Sequence, residues 1–194
     1  MAAPLEAEAL RANTRYIEEV VIGWNLCPWA AHAWRHGQVE RRVLPGATPD
    51  LDVVSEIVAE LGAKASCAIG LLLFPDAEAT VGGWESFAER VRRRRGPFHV
   101  AAFHPFYRPP GAPPVASAAA LVPLIRRTPD PTLQLVRASL LDEVAGEDRG
   151  RDVSAEIASA NFETVSARTP AALEALLDDI RRDRDAARAR LAPK

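Results

Sequence analysis

The sequence predicts an α/β fold: a small, mainly parallel sheet of three or slightly more strands, crossover helices, and a helical C-terminal third. Three observations carry this reading. The run Cys67-Ala68-Ile69-Gly70-Leu71-Leu72-Leu73-Phe74 is continuously apolar and of strand length, as expected of a strand covered on both faces. On either side of it, apolar residues recur at helical spacing: Leu51, Val54, Ile57, Val58 and Leu61 before, Trp84, Phe87 and Val91 after. Strand-like segments at Gln38 to Leu44 and Phe98 to Phe103 complete a strand–helix–strand–helix–strand order, which right-handed crossovers wind into one sheet.

The first helix is predicted from Pro4, suited to a first turn, with Leu10, Ile17, Val20, Val21 and Trp24 on one face and Gly23 ending it. Pro28 disfavours helical geometry at Cys27, so the cysteine is expected on an extended step just beyond that helix. Val39 and Val43 alternate in the first strand, which Pro45-Gly46 ends. Thr48-Pro49-Asp50 opens the next helix and Gly62 closes it. Pro75-Asp76 and Gly96-Pro97 punctuate the later boundaries. Residues 107–123 are rich in Pro and Ala without periodicity, predicting a long loop or lid. Residues 124–194 are predicted helical, through Leu133, Val136, Leu140 and Leu141, then Ile157 and Phe162, then Leu173, Leu176, Leu177 and Ile180. The charged stretch from Arg181 to Arg190 is read as a solvated helix end. One domain over 1–194 suits the length, which supports a core without disulfides or metal staples.

The net charge of −2 argues against a global attraction to nucleic acid or anionic membrane. Two cysteines make a secreted disulfide framework improbable, the first residues lack the order of a signal peptide, and the longest apolar run is too short to span a bilayer. A reducing cytoplasm, with free thiols, is the expected compartment.

Cys27 is the first candidate for chemistry. A thiol acts as a nucleophile when positive charge or a helix N-terminus stabilises its thiolate. Cys27 follows a helix C-terminus, whose dipole favours the thiol, so activation requires a partner such as His104 or Arg127. Its competing reading is a small apolar residue packed beside Trp24 and Trp29. His104 ends the third strand, where α/β sheets open onto ligand crevices, and is the candidate base. Cys67 is read as packing and His99 as surface. His32 and His36 stand i, i+4, but with Cys27 they make no recognised metal spacing. The cluster from Arg90 to Arg95 complements a helix end and, without interleaved aromatics, predicts no nucleic-acid site. Arg126-Arg127-Thr128 precedes an expected helix opening at Pro129-Asp130-Pro131, a combination suited to a carboxylate or phosphate. No motif assigns a cofactor, and the Cys-Pro dipeptide alone does not support haem ligation.

Several segments together resemble one family. Glu18-Glu19-Val20-Val21-Ile22-Gly23-Trp24-Asn25-Leu26-Cys27-Pro28-Trp29-Ala30 is similar to the opening signature, EEFVIGLNLCPFA, of the domain-of-unknown-function 1415 family of bacterial proteins. Ala101-Ala102-Phe103-His104-Pro105-Phe106-Tyr107 resembles its second signature, ASFHPxY. The segment from Arg127 to Arg137 resembles its third, RSPYPMLHLLR, and Asn161 falls on the family's late Arg-Asn dipeptide, with Ala160 in place of the arginine. The sequence departs from the pattern at Arg126, Asp130, Gln134 and Ala138, where the family has Asn, Tyr, His and Glu. An acidic stretch is replaced by Ala112 to Leu124. The resemblance carries no established activity, but it groups Asn25, Cys27, His104, Arg127, Thr128, Arg137 and Asn161 as residues that could converge.

Two functions follow as expectations. One is a cysteine-dependent enzyme using Cys27 and His104 for acyl or amide transfer or thiol chemistry, with Asn25, Arg127, Thr128, Arg137 and Asn161 holding a small anionic metabolite. The other is a non-catalytic module in which the arginines bind an anion or partner and Cys27 is structural.

Overall fold

The structure is a computed structural model that describes residues 2–94, 96–108, 112–140 and 153–191. Its elements run α1 (Ala2–Arg15, continued through wider turns at Tyr16–Ile22), α2 (Ala30–Arg35), β1 (Val39–Val43), α3 (Leu51–Ala63) and β2 (Ile69–Leu73). They continue through α4 (Val81–Arg92), β3 (Phe98–Phe103), α5 (Ala118–Ile125), β4 (Thr132–Arg137), α6 (Val153–Arg168) and α7 (Pro170–Leu191). The α/β class and the three expected strands are present. Among the described residues no helix is long and apolar enough to cross a membrane.

The sheet has four strands in the order β1-β2-β4-β3, and it is mixed rather than mainly parallel. β1 and β2 pair in parallel, whereas β4 runs antiparallel to both β2 and β3. The three expected strands do share one direction, as their crossovers require. β4 takes the slot between β2 and β3, so those two never touch.

β4 also corrects the expectation of a helix beginning at Leu133. Leu133 and Leu135 are fully buried on one face, while Thr132, Gln134 and Val136 point to the other, the period of two that a strand requires. Leu133, Val136 and Leu140 also fit a helical spacing, and tertiary pairing decides between the two periods. Leu141, and Arg95 in the basic cluster, lie outside the described residues. The expected 107–123 loop is shortened by α5, whose N-cap Ser117 accepts from the Ala120 amide and which accommodates Pro123 within it.

Each face of the sheet has its own core. Leu72, Leu133, Leu135 and Ala102 pack against Val54, Val58 and Leu61 of α3 and Trp84, Phe87 and Val91 of α4. On the other face, Ile69, Leu71 and Leu73 meet Tyr16, Ile17 and Val20 of the first helix, Leu121 and Leu124 of α5, Val165 of α6, and Leu173, Leu177 and Ile180 of α7. Each of the fully buried leucines contributes roughly 1.5–3 kcal/mol by leaving water. α7 is tied along α1 by Arg11 and Arg15, which reach Asp183 at 2.7 and 2.9 Å.

The first helix ends differently from the expectation. Gly23 stays helical at φ −61°. Its amide bonds Glu18 O at 2.9 Å, and the Leu26 amide bonds Val21 O at 2.9 Å, both i→i+5. A side chain at Gly23 would meet Glu19 O at 2.4 Å, which explains the glycine. Asn25, with φ 51°, makes the left-handed turn that Asn tolerates, sending Leu26 and Cys27 back over the sheet.

Candidate functional site

A cavity of about 330 Å³ lies between the sheet and the helices that cover it, at the lower end of the range of small-molecule sites. Its floor is Ile69 and Leu71 of β2, Thr132, Gln134 and Val136 of β4, and His99, Ala101 and Phe103 of β3. Tyr16, Ile17 and Val21 from the widened helix, Leu26 to Ala30, Val122 and Ile125 of α5 with Arg126 just after it, and Ile157, Ala158 and Asn161 of α6 close it over. The small side chain of Ala101 leaves the floor low between His99 and Phe103. The wall is mostly apolar, and no Asp or Glu lines it among the described residues.

Cys27 is on this wall, half-buried, so it is neither sealed in the core nor freely exposed. Burial pushes its thiol above the ordinary cysteine range, and the backbone N–H groups of Trp29 and Ala30 pull weakly the other way. Those amides belong to the start of α2, a helix absent from the sequence reading. The balance leaves a neutral thiol at neutral pH. Because a raised pKa lowers the thiolate fraction, iodoacetamide is expected to alkylate Cys27 more slowly than a small free thiol at neutral pH, with the rate climbing as pH rises. Peptide mass spectrometry separates Cys27 from buried Cys67. A neutral-pH rate at Cys27 matching or exceeding the free thiol would overturn the assignment.

His104 does not meet Cys27. It lies beyond β3, where its Nε2 bonds the Ala79 carbonyl at 2.9 Å and its Nδ1 accepts from the Phe106 amide at 3.2 Å. A carbonyl only accepts and an amide only donates, so these partners select the neutral tautomer protonated on Nε2. Burial reinforces this by lowering the His104 pKa. Nε2 holds the strand end against the β2–α4 turn and Nδ1 closes the local turn at Phe106, so both ring nitrogens are occupied and the Cys27–His104 pair expected from sequence is not formed.

Arg127 does not reach the cavity either. It is buried, and its Nη2 donates to Asp178 Oδ1 of α7 at 2.5 Å. The helix opening expected at Pro129 is absent, because β4 starts at Thr132. Arg137 turns to the end of α3, donating to the carbonyls of Cys67 at 2.8 Å and Lys64 at 2.7 Å. Asn25 is exposed and acts through its backbone conformation. His32 and His36 are exposed and stacked, ring centroids 4.1 Å apart.

Of the residues grouped from sequence, Cys27, Thr128 and Asn161 line the cavity together. The Thr128 hydroxyl is occupied, donating to the Asp130 carbonyl at 2.6 Å. Asn161 is 5% exposed, and its side-chain amide has no hydrogen-bond partner among the described residues. Its place on the cavity wall leaves that amide available to a ligand or water.

One arginine of the pair expected to suit an anion lines the cavity, and Gln134 joins it as a binding group that the sequence reading does not find. Arg126, rather than Arg127, lines the wall, with its guanidinium carbon 6.0 Å from the Phe103 ring centroid. That guanidinium forms no ion pair or hydrogen bond among the described residues. Gln134 stands on the floor with its amide likewise unpartnered. Reading β4 with period two would have found Gln134, since it is a lone amide between Thr132 and Val136. No local signal distinguishes Arg126 from its neighbour. Tyr16 completes this end: its hydroxyl donates to Ile125 O at 2.7 Å, and burial raises its pKa, with Arg126 opposing and Cys27 adding to the rise. Arg126, Tyr16 and Cys27 therefore share one electrostatic neighbourhood.

Two of the four departures from the family pattern, Arg126 and Gln134, fall on this cavity. Asp130 is instead buried between Arg184 and Arg188, at 2.7 and 2.8 Å, and the Ala138 amide bonds Pro97 O at 3.0 Å. No curated protein and no solved structure matches the chain. The signatures around Cys27, His104 and Arg127 all lie within residues 8–175, the span that matches the family described as protein of unknown function (DUF1415), and the chain belongs to that family.

Proposed function

We propose that the protein binds a small organic anion in the cavity between the sheet and α1, α5 and α6, as a binding module in which Cys27 forms part of the wall. The observation that carries this is the Arg126 guanidinium: a cation on a mostly apolar cavity wall with no ion-pair partner and no lining carboxylate among the described residues. A cation so placed attracts a carboxylate more strongly than it would in open water, because the surrounding wall screens poorly. The apolar remainder of the wall suits a ligand with a hydrocarbon body. The geometry favours binding over thiol catalysis, since among the described residues neither a base nor a cation is bonded to the Cys27 sulfur and burial raises its pKa.

The test is a thermal-shift and calorimetric panel of aliphatic and aromatic carboxylates, each beside its primary amide. Binding acids are expected to exceed their amides by about tenfold in affinity, the worth of a charge-assisted hydrogen bond in a partly buried site. Arg126→Gln should erase that preference while leaving the fold intact. Amides that bind as well as acids, or an unchanged preference in Arg126→Gln, would sink the proposal.

A further inference from the structure

The floor of the same cavity constrains the ligand further, and this inference rests on the anion-binding reading. β4 presents Thr132, Gln134 and Val136 to the cavity in successive steps of about 7 Å along the strand. Strand register extends each into a row across the sheet. Thr132 aligns with Leu73 and Phe103, Gln134 with Leu71 and Ala101, and Val136 with Ile69 and His99. The Arg126 guanidinium sits over Phe103, so the anionic end of a ligand belongs to the first row. The third row continues through Ile69 to Val39 of β1 and is apolar apart from His99 at its exposed edge.

The middle row is the informative one. Gln134 is flanked by Leu71 and Ala101, whose side chains offer it no hydrogen bond, and its amide is unpartnered among the described residues. A plain hydrocarbon chain laid across it would strand both a donor and an acceptor. Asn161, nine-tenths buried on the opposite wall, adds a second unpartnered amide. A ligand amide meets such groups in kind, offering one N–H and one C=O. Arg126 stands over Phe103 in the first row and Gln134 lies in the next, about 7 Å along the strand, so a ligand's acid and its amide belong on neighbouring rows.

We infer that the cavity takes an N-acylated amino acid: carboxylate at Arg126, amide at Gln134 and Asn161, and acyl tail toward Val39, Ile69 and Val136. Calorimetry on the full chain with N-octanoylglycine and chain-matched undecanoate tests this. N-octanoylglycine is expected to bind about tenfold tighter, from the cost of leaving a buried amide unmet. Gln134→Met, close in volume, should bring the two ligands level, and Asn161→Ala should narrow the gap as an independent variant. If undecanoate binds as tightly as N-octanoylglycine, or the gap survives in both variants, the amide assignment is overturned while anion binding stands. Binding of neither ligand, with no acid of the wider panel binding, overturns both readings.

Discussion

Asp130→Ala is expected to cost about 3–5 kcal/mol of folding stability, because it strips Arg188 of its carboxylate and leaves Arg184 only the exposed Asp185. Asp130 is 2% exposed, and its Oδ1 accepts from Arg184 Nη1 and Arg188 Nη2 at 2.7 and 2.8 Å. Arg188 also donates to the Pro75 carbonyl at 2.7 Å, so one carboxylate fastens α7 to the segment entering β4 and to the end of β2. The expectation of a solvated stretch from Arg181 to Arg190 fails here for a physical reason: the inner face of that helix carries its guanidiniums into the fold. Asp130 Oδ2 and the Nε atoms of both arginines are buried without partners, so the network is already incompletely satisfied. Its removal as a whole should therefore cost less than its interruption. Urea unfolding of Asp130→Ala, compared with a triple variant that also carries Arg184→Leu and Arg188→Leu, measures this. The triple variant is expected to recover more than half the loss. A single-variant loss under about 1 kcal/mol, the range of a surface ion pair, would contradict the buried-charge account.

Arg137→Met is expected to lower stability by about 2–3 kcal/mol, the scale of charge-assisted hydrogen bonds, and to leave ligand affinity unchanged. Its guanidinium gathers the carbonyls of Leu61, Lys64 and Cys67 at 3.3, 2.7 and 2.8 Å, tying β4 to the last turn of α3 and the connection that follows it. It also lies 5.1 Å from the Phe98 ring centroid, locking the end of β4 to the start of β3. Methionine keeps the stem and removes the donors. Paired unfolding and calorimetric titrations distinguish a helix-end clamp from a ligand contact. Lost affinity with unchanged stability would return Arg137 to the binding site.

Both residues show where local reading stopped. Arg127 is expected to bind an anion because arginines beside a helix opening suit one, and Arg137 joins it only through the family resemblance. With β4 replacing that helix, Arg137 points to the α3 carbonyls and Arg127 to Asp178. His104 was placed correctly at a strand end, but the Ala79 carbonyl that holds its Nε2 comes from a different connection. Cys27 is expected on an extended step after a helix, and it lies on an irregular step there, its carbonyl accepting from the Ala30 amide at 3.2 Å. The second helix that brings Trp29 and Ala30 amides to its sulfur carried no equally clear local mark.

The sequence by itself determined the alternation of strands and helices, the shared direction of β1, β2 and β3, the buried faces of α1, α3 and α4, and membership of the family. These rest on periodicity, punctuation and short signatures, all of which act within a few residues. Only the tertiary structure decided that β4 is a strand wedged between β2 and β3, and that Arg126 rather than Arg127 faces the cavity. It likewise decided that Cys27 keeps company with Tyr16, Gln134 and Asn161 instead of His104. The reason is common to all three: adjacent residues on a turn point to opposite sides, and which side becomes a cavity depends on strands and helices far away in the chain.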